Sequence, residues 1–121
     1  MILIVDDERT IRQLVSSILT RAGYEVMEAS NAQEALEILE REQPELLLTD
    51  IVMPGMNGLA LAAEAHHLRH TVPVMFMSGF ASNYEEELSG SVCLHKPFTP
   101  GQLITAVQDV LAQKRSGSGG A

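Results

Sequence analysis

Short apolar runs alternate along the chain with longer amphipathic stretches. Five runs have the composition of buried strands, and Gly, Pro or polar residues bound each of them. They are Ile2 to Val5, Tyr24 to Met27, Leu46 to Leu48, Val72 to Met77 and Ser91 to Leu94. Continuous apolar runs of this kind are typical of parallel strands, because helices cover both of their faces.

Helical periods separate these runs. The first has an apolar stripe from Ile11 to Leu19 and a stop signal at Gly23. Another opens with the capping pair Asn31 and Glu34. The predicted helices are 11–19, 31–39, 59–68, a short one from Ser82, and one that Thr99 caps and that runs through Leu111. Five alternating units predict an α/β fold, a doubly wound five-stranded parallel sheet with helices on both faces.

The length of 121 residues fits a single domain. We expect this domain to span residues 1–114. Residues 115–121 have the Ser and Gly composition of a flexible tail, a linker or an expression remnant.

Charge and composition exclude several function classes. Eight Lys and Arg against 16 Asp and Glu give a formal net charge of −8, which makes nucleic acid an unfavourable direct ligand. No apolar segment is long enough to predict a membrane contact. The single cysteine, Cys93, cannot form an internal disulfide, and a reducing cytoplasm is the expected location.

Polar residues directly follow four of the five apolar runs. Asp6 and Asp7 follow the first, Asp50 the third, Ser78 the fourth and Lys96 the fifth. Ligands of open α/β sheets bind outside the carboxyl ends of the strands, so these side chains should converge. Taken singly, each has an ordinary explanation as a helix-start acid, a turn serine or a loop lysine.

Three converging carboxylates would repel one another unless they shared a cation. Oxygen ligands without His or Cys favour Mg²⁺ or Mn²⁺. Three carboxylates, one divalent ion and the Lys96 ammonium sum to zero charge. A phosphoryl group added there would be stabilised by the metal, by Lys96 and by the Ser78 hydroxyl.

Four segments at the strand ends carry a family resemblance. They are Leu3-Ile4-Val5-Asp6-Asp7-Glu8, Asp50-Ile51-Val52-Met53-Pro54-Gly55-Met56-Asn57-Gly58, Met77-Ser78-Gly79 and Lys96-Pro97-Phe98. In order, spacing and strand context the chain resembles the receiver domain of two-component response regulators over about residues 1 to 114. The resemblance implies a flavodoxin-like (βα)5 fold with strand order 2-1-3-4-5.

The same resemblance implies a metal site. Asp7 and Asp50 would bind Mg²⁺ through their carboxylates and Val52 through its carbonyl oxygen. Asp6 would hold the metal through water.

It also implies the reaction. Asp50 would be the phosphorylated nucleophile, Ser78 would bond the phosphoryl oxygens, and Lys96 would pair with Asp50 and then with phosphate. The Lys96–Pro97 bond would be cis. The donor would be the phosphohistidine of a histidine kinase or phosphotransfer protein.

The chain is accordingly expected to be a phosphoacceptor domain and not an enzyme with an external substrate. It would catalyse only its own phosphorylation and slow dephosphorylation. Val52 and Phe80 border the predicted pocket, and neither side chain can position an attacking water.

One residue departs from the family pattern. Receivers usually have an aromatic switch residue three positions before the lysine, where this chain has Cys93. The alternative function is therefore a protein-docking module that keeps the fold and signals without phosphorylation. A stand-alone regulator and a receiver of a hybrid sensor histidine kinase both fit the sequence, as does a homodimer. The downstream target is not predicted.

Other classes with a related fold or chemistry fit poorly. A flavodoxin-like cofactor binder needs a phosphate-cradling loop after its first strand, where Asp6 and Asp7 stand. Those adjacent aspartates also do not form the Asp-x-Asp arrangement of a haloacid-dehalogenase-type phosphatase. A P-loop NTPase is excluded because its motif is absent from the sequence.

Overall fold

The part of the chain that the structure describes contains five strands and four helices. The structure is a computed structural model, and it describes residues 1–68, 71–79 and 92–120, with side chains up to residue 113. In chain order the elements are β1 (Ile2–Val5), α1 (Arg9–Arg21), β2 (Val26–Ala29), α2 (Ala32–Arg41), β3 (Leu46–Asp50), α3 (Gly58–Leu68), β4 (Val74–Ser78), β5 (Val92–His95) and α4 (Pro100–Gly120).

The strands form one parallel sheet in the order β2-β1-β3-β4-β5. Val5 lies opposite Thr49 of β3, and Asp50 lies opposite Met77 of β4. Because the strands are parallel and in this register, their carboxyl ends meet at one edge. The predicted fold class and the strand order implied by the resemblance are both confirmed.

Helices cover the sheet on both sides, as the continuous apolar runs predict. Ile2 and Ile4 of β1 belong to an apolar core with α1 and α4, whereas Leu3 and Val5 belong to a second core with α2 and α3. This division follows from the two-residue alternation of side chains along a strand. The buried helix residues include Val15, Leu19, Leu103 and Val107 on the first side and Ala35, Leu39, Leu61 and Ala65 on the second.

The end of α1 shifts the second strand from its predicted position. Gly23 has a φ of +98°, which favours glycine and ends the helix as predicted. The Tyr24 amide then donates to the Leu19 carbonyl at 3.0 Å, so Tyr24 closes the helix and does not begin the strand. The predicted strand from Tyr24 to Met27 is therefore found two residues later, at Val26–Ala29.

Two helix starts contain the predicted capping pairs. At α4, the Gln102 amide donates to Thr99 Oγ1 at 3.1 Å and the Thr99 amide donates to Gln102 Oε1 at 2.8 Å, which is a reciprocal capping box. At α2, the Glu34 amide donates to Asn31 Oδ1 at 2.8 Å. The Glu34 carboxylate instead accepts from the amide of Ser30, at 2.7 Å.

Two predictions about the carboxyl half are not tested. The short helix predicted from Ser82 lies outside the described residues. The division of the chain between residues 114 and 115 stays a prediction.

Among the described residues, none of the helices combines the length and apolar character needed to cross a bilayer.

Candidate functional site

The carboxyl edge of the sheet gathers the polar residues predicted from the strand ends. Asp50 and Ser78 are the last residues of β3 and β4, Asp6 directly follows β1, and Lys96 directly follows β5. The Lys96 amide donates to the Ser78 carbonyl at 3.0 Å, which continues the pairing of β4 and β5 to this edge. Parallel pairing therefore brings together residues that are up to 90 positions apart in sequence.

Three carboxylates form the acidic part of the edge. Asp6, Asp7 and Asp50 each present an oxygen, and these oxygens lie within 4.8 Å of one another. Asp6 is completely buried, Asp50 is 6% exposed, and Asp7 is exposed to solvent. The cluster thus opens to solvent on the side of Asp7.

Lys96 brings the compensating charge. Its Nζ lies 3.1 Å from Asp6 Oδ2 and 3.4 Å from Asp50 Oδ2, and its side chain is largely buried. The Lys96–Pro97 peptide bond is cis, as the resemblance implies. One ammonium thus bridges the two buried carboxylates, and the cluster of four side chains keeps a formal charge of −2.

Burial and the neighbouring charges shift the pKa values of Asp50 and Lys96. The pKa of Asp50 is raised to about 6, because burial and the neighbouring Asp6 charge together outweigh the lowering by the Lys96 ammonium. Burial lowers the pKa of Lys96, but the Asp6 and Asp50 carboxylates outweigh it and leave that pKa above its ordinary value. At neutral pH both groups are therefore charged.

The backbone at Asp50 is held on two sides. Thr49, buried in β3, donates its hydroxyl to the Asp50 carbonyl oxygen at 2.9 Å. Gly58, the first residue of α3, lies so close that a Cβ there would collide with the same oxygen. The Gly58 amide also donates to the Ile51 carbonyl at 2.8 Å. The absence of a side chain at Gly58 therefore lets α3 begin against the end of β3.

The backbone at Asp6 is held by a residue that the sequence analysis did not predict. Arg12 of α1 donates from Nη1 to the Asp6 carbonyl oxygen at 2.8 Å and contacts Glu28 of β2 through Nε at 3.1 Å. The Glu8 amide donates to Asp6 Oδ1 at 2.8 Å. Arg12 was missed because helical periodicity marks the apolar positions of α1 and carries no signal for a contact to the next strand.

The remaining predicted residues have different surroundings. Ser78 is buried at the edge, whereas the Val52 side chain is exposed in the segment after β3. Phe80 lies outside the described residues. Cys93 of β5 is partly buried against Ile51, Ala62 and Phe76, which agrees with a packing role for its side chain. Burial raises the pKa of the Cys93 thiol, and so does the Asp50 carboxylate.

The donor set fits a hard divalent cation. Carboxylate oxygens from three residues lie close enough to share one ion, and no other group of three or more potential metal ligands occurs among the described residues. A divalent cation would cancel the charge of −2 that remains after Lys96 is counted.

Comparisons with known proteins agree with this geometry. A family model described as response regulator receiver domain matches residues 2–108. The phosphate regulon transcriptional regulatory protein PhoB of Pseudomonas aeruginosa is 35% identical over 124 residues, which cover 98% of this chain and 53% of that protein. The chain therefore spans about half the length of this curated relative.

Solved structures give the same result. A CheY-like response regulator receiver domain protein from Methanospirillum hungatei JF-1 is 32% identical with a TM-score of 0.87, and the match covers 96% of each chain. The receiver domain from the hybrid histidine kinase CckA is 37% identical with a TM-score of 0.80, covering 91% of this chain and 97% of that one. The chain belongs to the response regulator receiver domain family, whose members serve two-component signal transduction.

Proposed function

We propose that Asp50 accepts a phosphoryl group from the phosphohistidine of a partner protein. The observation that carries this proposal is the position of the Asp50 carboxylate, nearly buried at the strand ends and 3.4 Å from the Lys96 ammonium. Its pKa of about 6 leaves the carboxylate ionised at neutral pH and therefore nucleophilic.

The proposed step is a displacement at phosphorus. An Asp50 carboxylate oxygen forms the new P–O bond while the P–N bond to the donor imidazole breaks. The electron pair of that bond stays on the imidazole nitrogen, which is then protonated, and the product is an acyl phosphate. Lys96 lies within reach of the charge that develops on the phosphoryl oxygens, and Ser78 supplies a hydroxyl at the same edge.

We assign the cation site to the acidic cluster. Asp7 and Asp50 would ligate Mg²⁺ or Mn²⁺ through carboxylate oxygens and Val52 through its carbonyl, while Asp6 would act through a bound water. When bound, such an ion supplies positive charge that stabilises the transferring phosphoryl oxygens. The opening on the side of Asp7 provides the entry path.

The chain's own part in this chemistry is to hold two buried carboxylates at a fixed separation. Lys96 bonds Asp6 and approaches Asp50, so both carboxylates keep their positions relative to the ammonium. Thr49 and Gly58 fix the backbone of Asp50 from opposite elements. The nucleophile is thus pre-organised, which lowers the cost of orienting it for attack.

The partner in this proposal is a histidine kinase or a phosphotransfer protein in the cytoplasm. The domain is a phosphoacceptor and acts on no other substrate. A receiver of a hybrid sensor kinase and a stand-alone regulator are both consistent with the similarities found. Phosphorylation would then change which downstream protein, or second copy of the domain, the receiver binds.

Loss of the phosphoryl group is proposed to be slow. Val52 is 46% exposed beside the cluster, and its isopropyl group has no atom that could align a water for attack. We therefore expect the acyl phosphate to persist after the donor is removed.

The test is intact mass after incubation with Mg²⁺ and acetyl phosphate. The wild-type chain should gain the mass of one phosphoryl group, and the gain should disappear in Asp50→Asn and when EDTA replaces Mg²⁺. Asp109→Asn is the matched control, because Asp109 is an exposed acid of α4 and its replacement should leave the gain intact. A folded wild-type chain that gains no mass from a competent donor would support the phosphorylation-independent docking module instead.

A further inference from the structure

Arg12 lies outside the acidic cluster but connects it to two neighbouring elements. Its Nη1 donates to the Asp6 carbonyl oxygen at 2.8 Å, and its Nε lies 3.1 Å from Glu28 Oε1 at the carboxyl end of β2. The Arg12 side chain is 15% exposed and that of Glu28 is 36% exposed, so the bond to the Asp6 carbonyl is the more shielded of the two contacts. A surface arginine that served only solubility would have no reason to be buried in this way.

We infer that Arg12 is a positioning residue for the cation site. It holds the peptide unit between Asp6 and Asp7 in the orientation that directs both carboxylates into the cluster. This inference rests on the proposed function, because the reaction proposed above needs the cation that these carboxylates would bind.

The physical reason is the planarity of the peptide unit. The Asp6 carbonyl oxygen and the Asp7 nitrogen belong to one rigid plane, so a bond that fixes the oxygen also limits the direction of the Asp7 Cα–Cβ bond. Asp7 is exposed, and solvent gives its side chain little restraint. The Arg12 contact therefore supplies order at the point where the cluster is most open.

The other Asp6 groups are already held. The Asp6 amide donates to the Ala29 carbonyl at 3.2 Å, and the two carboxylate oxygens accept from the Glu8 amide and from Lys96. None of these bonds restrains the rotation of the following peptide unit as directly as a bond to its carbonyl oxygen. Arg12 thus completes the restraint of the β1–α1 connection.

Arginine suits this position because its guanidinium offers several donors in one rigid plane. One edge contacts the Glu28 carboxylate while another donates to the Asp6 carbonyl. A lysine ammonium at this position could reach one of these partners well but lacks the fork that serves both. Glu28 accordingly orients the arginine, and the arginine orients the Asp6–Asp7 peptide.

Positioning and electrostatics make opposite predictions for the loss of Arg12. A positive charge near a cation site repels the cation. If Coulombic repulsion were the only effect of Arg12, removing its charge would tighten Mg²⁺ binding. If Arg12 positions the ligands, removing it weakens Mg²⁺ binding despite the lost repulsion. The direction of the change therefore separates the two effects.

The experiment titrates the full chain with Mg²⁺ and follows backbone amide shifts by NMR and the initial rate of phosphorylation by acetyl phosphate. In Arg12→Gln, we expect the half-saturating Mg²⁺ concentration to rise by about tenfold, the scale seen when residues that orient metal ligands are replaced. The plateau rate at saturating Mg²⁺ should stay near that of the wild type. Arg12→Lys should fall between the two proteins.

The matched control is Arg9→Gln, which removes the same charge from the first turn of the same helix at an exposed position. Its half-saturating Mg²⁺ concentration should stay constant or fall slightly. Elevated ionic strength should reduce any change in Arg9→Gln and leave the change in Arg12→Gln in place, because salt screens charge effects between exposed groups.

A double-mutant cycle with Glu28→Gln tests whether Glu28 acts through Arg12. Because Glu28 acts through Arg12, the double variant should lose no more Mg²⁺ affinity than Arg12→Gln alone. Additive losses would overturn the link between the two residues.

Unchanged or tighter Mg²⁺ binding in Arg12→Gln, with normal binding in the wild type, would overturn this inference alone. A folded wild-type chain that neither binds Mg²⁺ nor gains a phosphoryl group would overturn the proposed function and this inference together.

Discussion

The body of β3 and its carboxyl end are both buried, but burial has opposite effects on their stability. In β3, Leu46, Leu47 and Leu48 are inaccessible to solvent, and the next two residues, Thr49 and Asp50, are almost as buried. Burial of the leucines favours the folded state, whereas burial of an ionised carboxylate disfavours it. The raised pKa of Asp50 is the direct sign of that cost. Burial therefore stabilises the body of this strand and destabilises its end.

The difference shows how one short strand combines a structural and a chemical role. The body provides the stability that permits charges to be held at the edge, where they would serve the proposed cation and phosphoryl group. Substitutions at neighbouring positions of one strand should thus change the free energy of unfolding in opposite directions.

The largest expected effect lies in the body. Leu48→Ala should lower the free energy of unfolding by about 2 to 5 kcal/mol, because it removes a fully buried side chain and leaves a cavity. Urea denaturation of the metal-free chain measures the change. Leu14→Ala is the matched control, since Leu14 is 49% exposed and its replacement should change stability by less than about 0.5 kcal/mol. Equal losses in the two variants would contradict the assigned core.

The second effect lies where the body and the edge join. Gly58→Ala should destabilise the chain by about 1 to 3 kcal/mol, because the new Cβ would meet the Asp50 carbonyl and force the backbone apart. It should also slow phosphorylation, since Asp50 is displaced with its backbone. Gly101→Ala, whose Cβ would meet nothing nearer than 3.9 Å, should cause neither change. Normal stability and rate in Gly58→Ala would refute the close contact.

The third effect is an increase in stability, opposite to the first two. Asp50→Asn should raise the free energy of unfolding of the metal-free chain at pH 7 by about 1 to 3 kcal/mol, because it removes a buried charge next to Asp6. Asp109→Asn should leave stability nearly unchanged. Saturating Mg²⁺ should narrow the gap, since the wild type gains about 1.4 kcal/mol at ten times its dissociation constant. A destabilised Asp50→Asn would show that the carboxylate supports the fold.

The last effect is a pH dependence that arises from the same raised pKa of Asp50. The folded chain holds the Asp50 proton up to about pH 6, whereas the unfolded chain releases it near the ordinary value of 3.8. Between these values the folded state binds more protons, so stability falls as pH rises through this window. The difference in unfolding free energy between wild type and Asp50→Asn, measured in EDTA, isolates this contribution. A difference that stays constant from pH 4 to 7 would contradict the raised pKa.

The sequence predicts the body of the sheet more completely than its edge. Apolar runs mark all five strands because a strand covered on both faces needs continuous apolar side chains. The second strand is misplaced because Tyr24 is apolar enough for a strand but its amide closes α1. The strand order follows only from the family resemblance, since periodicity does not say which strands are neighbours.

At the edge, the charged residues can be predicted from the sequence, but the residues that contact their backbone cannot. Asp6, Asp50 and Lys96 interrupt apolar runs and so are visible in the sequence. Arg12 contacts a backbone carbonyl and a glutamate on another strand, and neither contact has a local signature. The contact of Gly58 with Asp50 likewise depends on how α3 packs at the end of β3.

The most direct test of the central claim locates the phosphoryl group itself. The chain would be phosphorylated with acetyl phosphate and Mg²⁺, treated with borohydride, which reduces an aspartyl phosphate to homoserine, and then sequenced by tandem mass spectrometry. Homoserine is expected at position 50, with unmodified aspartate at Asp6 and Asp7. Homoserine at either of those two positions, with Asp50 unmodified, would contradict the central claim.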